Sequence, residues 1–219
     1  MALKNQRSQT AILENAKIAL QNVETNPTIK SLMESLGYNA AKMAEGITVL
    51  QTAKSSYDEN QLLDDNKAKT SKAFEDKRIA LNVNFVRDRK KARVILSDDP
   101  LVLKELGVAG GIPKTYVKWL ENINQFYNTL KNQPELAAKL TSVQITPEYI
   151  TETLAGIAEV ESLRAARTQN EGITQNATKI KDKAFKDLDK WMGSFFAIAR
   201  IALENEPQLL ESLGKFVRS

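Results

Sequence analysis

The stretch Tyr57-Asp58-Glu59-Asn60-Gln61-Leu62-Leu63-Asp64-Asp65-Asn66 decides how this chain folds. It lies in a proline-free span between Pro27 and Pro100, with apolar residues at helical spacing on both sides. From Tyr57 to Lys72 apolar content nearly vanishes, apart from Leu62, Leu63 and Ala68. Asp and Asn side chains compete with helical backbone hydrogen bonds. The run therefore predicts the tip of a helical hairpin. A matching tip is expected near Thr168-Gln169-Asn170-Glu171-Gly172, in the second proline-free span from Pro147 to Pro207. The rival reading is a continuous long helix through each tip.

Outward from these spans, the six prolines punctuate the chain: Pro27, Pro100, Pro113, Pro134, Pro147 and Pro207. Proline is tolerated in the first turn of a helix and breaks its interior. Asn26, Asp99, Gln133, Thr146 and Glu206 precede five of them, so those prolines read as helix starts with polar residues at the cap position. The segment Gly107-Val108-Ala109-Gly110-Gly111-Ile112-Pro113 is the one stretch of turn composition, at the midpoint of the chain.

The halves on either side of that midpoint resemble each other. A shift of 111 residues pairs Tyr38 with Tyr149, Phe74 with Phe185 and Phe85 with Phe196. A shift of 107 pairs Arg93 with Arg200, Pro100 with Pro207 and Gly107 with Gly214. The two shifts differ by about one helical turn, so a buried stripe survives the change of register. The expected organisation is a first helical repeat over 1–108, a Gly-containing connector over 109–112 and a second repeat over 113–219. The fold class is all-α: an antiparallel, four-helix-type bundle built from two helical-hairpin halves packed as one domain.

The expected core follows from periodicity. The opening helices present Ile12, Ala16, Ala19, Leu20 and Val23, and Val117, Leu120, Ile123, Tyr127 and Leu130. The return segments present Phe74, Leu81, Phe85 and Ala92, and Phe185, Leu188, Trp191, Phe195 and Ile198. Trp191–Ala199 reads as bundle core rather than a partner surface, with Gly193 expected to permit a close helix approach. Gly107 and Gly214 fit left-handed helix caps.

Composition then narrows the chemistry. The chain has 219 residues, 42% hydrophobic and 26% charged, and contains neither Cys nor His. That removes disulfides, thiolate and His-dependent nucleophiles, ordinary zinc sites and His-ligated haem. The formal net charge is +4. No apolar h-region follows Met1, and the least polar stretch, Trp191–Ala199, is too short to span a bilayer, so a cytoplasmic protein without a transmembrane segment is expected.

Charge is unevenly spread. Between 64 and 93 ten positive residues face five negative ones, so the remainder of the chain carries a net −1. Arg87, Arg89, Lys90, Lys91 and Arg93 are the candidate anion-binding residues. Replacing Arg89, Lys90 and Arg93 by Glu is expected to abolish such binding and leave the fold intact. The reading preferred over anion binding is a solvated helix face with i,i+4 pairs such as Asp65–Lys69 and Lys72–Asp76. The carboxylate pairs Asp64–Asp65, Asp98–Asp99, Glu159/Glu161 and Asp187/Asp189 form no facing dyad on a helix, and Asp98–Asp99 reads better as a cap cluster. No phosphate loop or EF-hand spacing occurs. No catalytic, cofactor-binding or metal-binding residues are assigned, and no enzyme activity is expected. The expected function is a non-catalytic helical interaction protein, self-associating or docking on another protein. The alternative is electrostatic binding of nucleic acid or an anionic surface through 67–93.

Overall fold

A computed structural model describes residues 8–214. They are helical, with no strand among them. The helices are α1 (Gln9–Thr25), α2 (Pro27–Ser35), α3 (Ala40–Ile95), α4 (Pro100–Glu105), α5 (Tyr116–Asn132), α6 (Pro134–Leu140), α7 (Pro147–Ala202) and α8 (Pro207–Ser212), with a 3-10 turn at Thr141–Val143. Five of the six prolines open a helix, where the missing N–H costs nothing; Pro113 lies in the connector that joins α4 to α5, residues 106–115. Asn26 accepts from the Thr28 and Ile29 amides, Asp99 from Val102 and Thr146 from Tyr149. Gln133 and Glu206 make no side-chain cap bond.

The hairpin tips do not form. Residues 57–66 lie inside α3 and residues 168–172 inside α7, each an uninterrupted helix of 56 residues. Some of the polar side chains that suggested a turn find other partners. Asn60 is buried and its Nδ2 donates to Thr178 Oγ1 at 3.1 Å, while Asp58 pairs with Lys54. In the second run, Asn170 Nδ2 donates to Thr70 Oγ1 at 2.8 Å and Glu171 pairs with Arg167. Satisfied in this way, the side chains no longer compete with the helix backbone.

Two compact units result, and they cut across the sequence halves. One comprises residues 1–64 with 173–219; the other comprises 65–172. Each has its own core. In the first, α1 and α2 contribute Ala16, Ala19, Leu20, Val23, Ile29 and Met33, which pack with Leu188, Trp191, Phe195 and Ala199 of α7. Rising numbers along α3 meet falling numbers along α7, as in Gly46 against Trp191 and Tyr57 against Phe185, so the two segments are antiparallel. In the second unit, Phe74, Leu81, Phe85 and Ala92 of α3 pack with Trp119, Ile123, Phe126, Tyr127 and Leu130 of α5 and Ile150, Ile157 and Val160 of α7. Val117, expected in the core, is exposed.

Gly193 is not at a close approach, since nothing lies within 4 Å of where its Cβ would stand. The close approach is at Gly46, where a Cβ would collide with the Trp191 ring. Gly46→Ala should therefore destabilise the protein by about 1–3 kcal/mol, because overpacking displaces a core indole. Gly193→Ala should stabilise it by up to ~1 kcal/mol through helix propensity alone. Urea unfolding of the pair measures both signs.

Candidate functional site

The last turns of α3 hold the five candidate cations, and successive residues there point in different directions. Arg89 points inward and is only 2% exposed. Its Nη1 donates to the Gly107 carbonyl at 2.7 Å and to Asn122 Oδ1 at 2.6 Å, and its Nη2 donates to the Gly110 carbonyl at 2.6 Å. One turn on, Arg93 Nε donates to the Val108 carbonyl at 2.6 Å and Nη2 to that of Gly110. Asn122 Nδ2 closes the network on the Gly107 carbonyl at 2.8 Å. Burial, with the Arg93 charge adding to it, pulls the Arg89 pKa below its ordinary value. The two guanidinium groups thus clamp the connector. Their donors are spent on carbonyls, so replacing them by Glu cannot leave the fold intact as expected from sequence.

Asp88 is fully buried. Its Oδ2 accepts from the Tyr127 hydroxyl at 2.8 Å and the Tyr149 hydroxyl at 2.6 Å. Burial, followed for Tyr127 by the Asp88 charge and for Tyr149 by the Asp88 hydrogen bond, drives both phenol pKa values up, which keeps them as proton donors. Lys91 Nζ lies 3.5 Å from the other Asp88 oxygen, and Arg87 Nε 3.8 Å from it. Arg87 also donates to Asn84 Oδ1. Lys90 is exposed and makes no hydrogen bond or ion pair with a described residue. Of the five cations, Arg87 and Lys90 remain as outward charges. Further up α3, Lys72 pairs with Asp76, Arg78 with Glu75 and Lys77 with Glu159.

The outward face of α3 carries something the charge pattern concealed. Ile79, Val83 and Val94 are 54%, 60% and 73% exposed. With the half-buried Val86 they fall within an arc of about 80°, opposite Leu81, Phe85, Asp88 and Ala92. Arg87 and Lys90 lie on or beside the same arc.

A cleft of about 400 Å³ opens in the same unit. Phe74 and Tyr116 form its aromatic floor, and Arg78, Lys114, Arg164 and Arg167 line it. The Arg164 guanidinium carbon sits 3.9 Å from the centroid of the Tyr116 ring, and that of Arg167 5.5 Å from the centroid of Phe74. Sequence reasoning missed this site because its residues come from α3, the segment before α5, the start of α5 and α7. The i,i+3 spacing of Arg164 and Arg167 was the only local signal.

Among the described residues, no group of three or more Asp or Glu side chains is placed to hold a metal ion, and no helix is long and apolar enough to cross a membrane. No protein-family model, curated protein or solved structure matches this chain.

Proposed function

We propose that this chain is a non-catalytic helical interaction protein, built from two copies of one helical repeat, that docks an acidic amphipathic helix of a partner protein on the outward face of α3. The observation that carries this reading is the exposed stripe of Ile79, Val83 and Val94. Single exposed apolar residues are ordinary, but several on one face over four turns make a helix-docking surface. Arg87 and Lys90 set the sign of the partner. A second copy of the chain would bring these cations toward like charges, whereas acidic residues flanking an apolar seam complement them.

The repeat reading draws support from element order. Helices α5, α6, α7 and α8 each begin 107 residues after α1, α2, α3 and α4, the shift that also pairs Gly107 with Gly214. Gly37 and Gln144, likewise 107 apart, both adopt positive φ, at 91° and 65°. The 111-residue register is less well supported, since Tyr38 precedes α3 and Tyr149 lies within the first turn of α7. Nucleic-acid binding is the weaker reading, because Arg89, Arg93, Lys72, Lys77 and Arg78 are engaged within the protein.

Fluorescence anisotropy with a labelled acidic amphipathic helical peptide tests the proposal. Wild type should bind it, and Val83→Asp with Val94→Asp should weaken binding at least ~10-fold while stability changes by under about 0.5 kcal/mol, as for other exposed sites. Equal binding of a scrambled peptide, or by the double variant, overturns the proposal. Sedimentation that shows self-association lost in the double variant gives the face to a second copy instead. Steeply salt-dependent binding of duplex DNA, lost on replacing Arg87 and Lys90, restores the nucleic-acid reading.

A further inference from the structure

We infer that the cleft floored by Phe74 and Tyr116 binds a phosphate dianion, carried as the monoester of a small organic molecule. Two of the cleft's four cations are already neutralised. Arg78 donates from Nε and Nη2 to Glu75 Oε2, at 3.1 and 2.9 Å. Arg167 lies between Glu75 and Glu171, at 3.4 and 3.2 Å. The side chains of Arg164 and Lys114 have no carboxylate or hydrogen-bond partner among the described residues. Four cations against Glu75 and Glu171 leave the cleft with an excess of two positive charges, which matches a phosphate monoester above its second pKa of about 6. Glu161, a turn before Arg164, lines the adjoining groove rather than this cleft.

Geometry adds to charge. Arg164 lies over the face of Tyr116, so the ring holds the guanidinium plane while its in-plane N–H groups make no bond to a described residue. A stacked guanidinium with free edges is pre-organised for two parallel hydrogen bonds to a phosphate, at less entropy cost than a free arginine. Lys114, at the entry to α5, supplies a second, exposed cation. The volume of about 400 Å³ exceeds that of a phosphate group, leaving room for an organic moiety beside the aromatic floor. This site is independent of the docking face on α3, and either proposal can fail alone.

Calorimetric titration of the 219-residue chain with phenyl phosphate, glycerol phosphate and inorganic phosphate provides the test. Saturable binding is expected, tighter for an ester than for inorganic phosphate; the reverse order would make free phosphate the source of the dianion. Lys114→Gln with Arg164→Gln should weaken binding at least ~10-fold, as expected when charge-assisted hydrogen bonds are lost. Lys114→Gln alone alters only an exposed side chain, so its partial loss of affinity cannot be a folding defect. Arg164→Lys keeps the charge without the planar fork and should fall between wild type and Arg164→Gln. Lys186→Gln with Arg200→Gln removes the same charge from exposed positions of the other unit and should leave binding unchanged. Absence of saturable binding, unchanged affinity in the cleft variants, or an equal loss in the Lys186/Arg200 variant overturns the inference.

Discussion

Phe195→Ala will destabilise the unit formed by 1–64 and 173–219 by about 3–5 kcal/mol, the range for a large aromatic truncated in a packed core. Phe195 is fully buried. Its ring stacks on Trp191 at 5.5 Å between centroids, with the planes 18° apart, and meets Tyr38 and Phe196 edge-on at 5.7 and 5.2 Å. Removal leaves a cavity whose walls are themselves large rings. These cannot collapse inward, because Trp191 is already pressed against Gly46. Urea denaturation measures the loss. A change under about 1 kcal/mol, the size expected of a surface substitution, would show that the Trp191–Ala199 segment is not core.

Arg89→Ala will destabilise the other unit by about 1–3 kcal/mol, although it removes a charge buried without a carboxylate on it. Burying a guanidinium is unfavourable by itself. Here the cost is offset by bonds to the Gly107 and Gly110 carbonyls and to Asn122; truncation leaves Asn122 Oδ1 without a donor among the described residues, takes one of two donors from each carbonyl, and empties a buried site. An unsatisfied buried polar group costs roughly 1–3 kcal/mol. Arg89→Lys should recover little, since an ammonium cannot span acceptors that a planar fork reaches together. Arg93→Ala should cost less, because Arg93 is more exposed and shares both of its carbonyls with Arg89. Denaturation of the three variants checks the ranking. If Arg89→Ala unfolds no more readily than Arg93→Ala, Arg89 does not hold the connector.

The outward face of α3 illustrates how partial the sequence is as a guide to a site. Its charges drew attention to Arg87–Arg93, yet a linear count cannot separate cations that face water from cations that face carbonyls. Ile79, Val83 and Val94 were hidden for the complementary reason. A helix with apolar residues on two opposite faces has a weakened periodicity, and the stripe through Phe74, Leu81 and Phe85 dominated it.

What the residues determined by themselves is local: the all-helical class, the helix starts at five prolines, the caps at Asn26, Asp99 and Thr146, and the left-handed stops at Gly107 and Gly214. Each depends on atoms within a turn or so of the residue that signals it, which is why it can be read along the chain. Whether 57–66 turned back or ran on depended on Thr178, a partner 118 positions from Asn60. Whether Arg89 was a free cation depended on carbonyls in a connector 18 to 21 positions later and on Asn122. A polar side chain has one set of donors and acceptors and takes whichever partner the packed chain brings within about 3 Å, so only the tertiary structure could decide between a turn and a helix, or between a ligand site and a clamp.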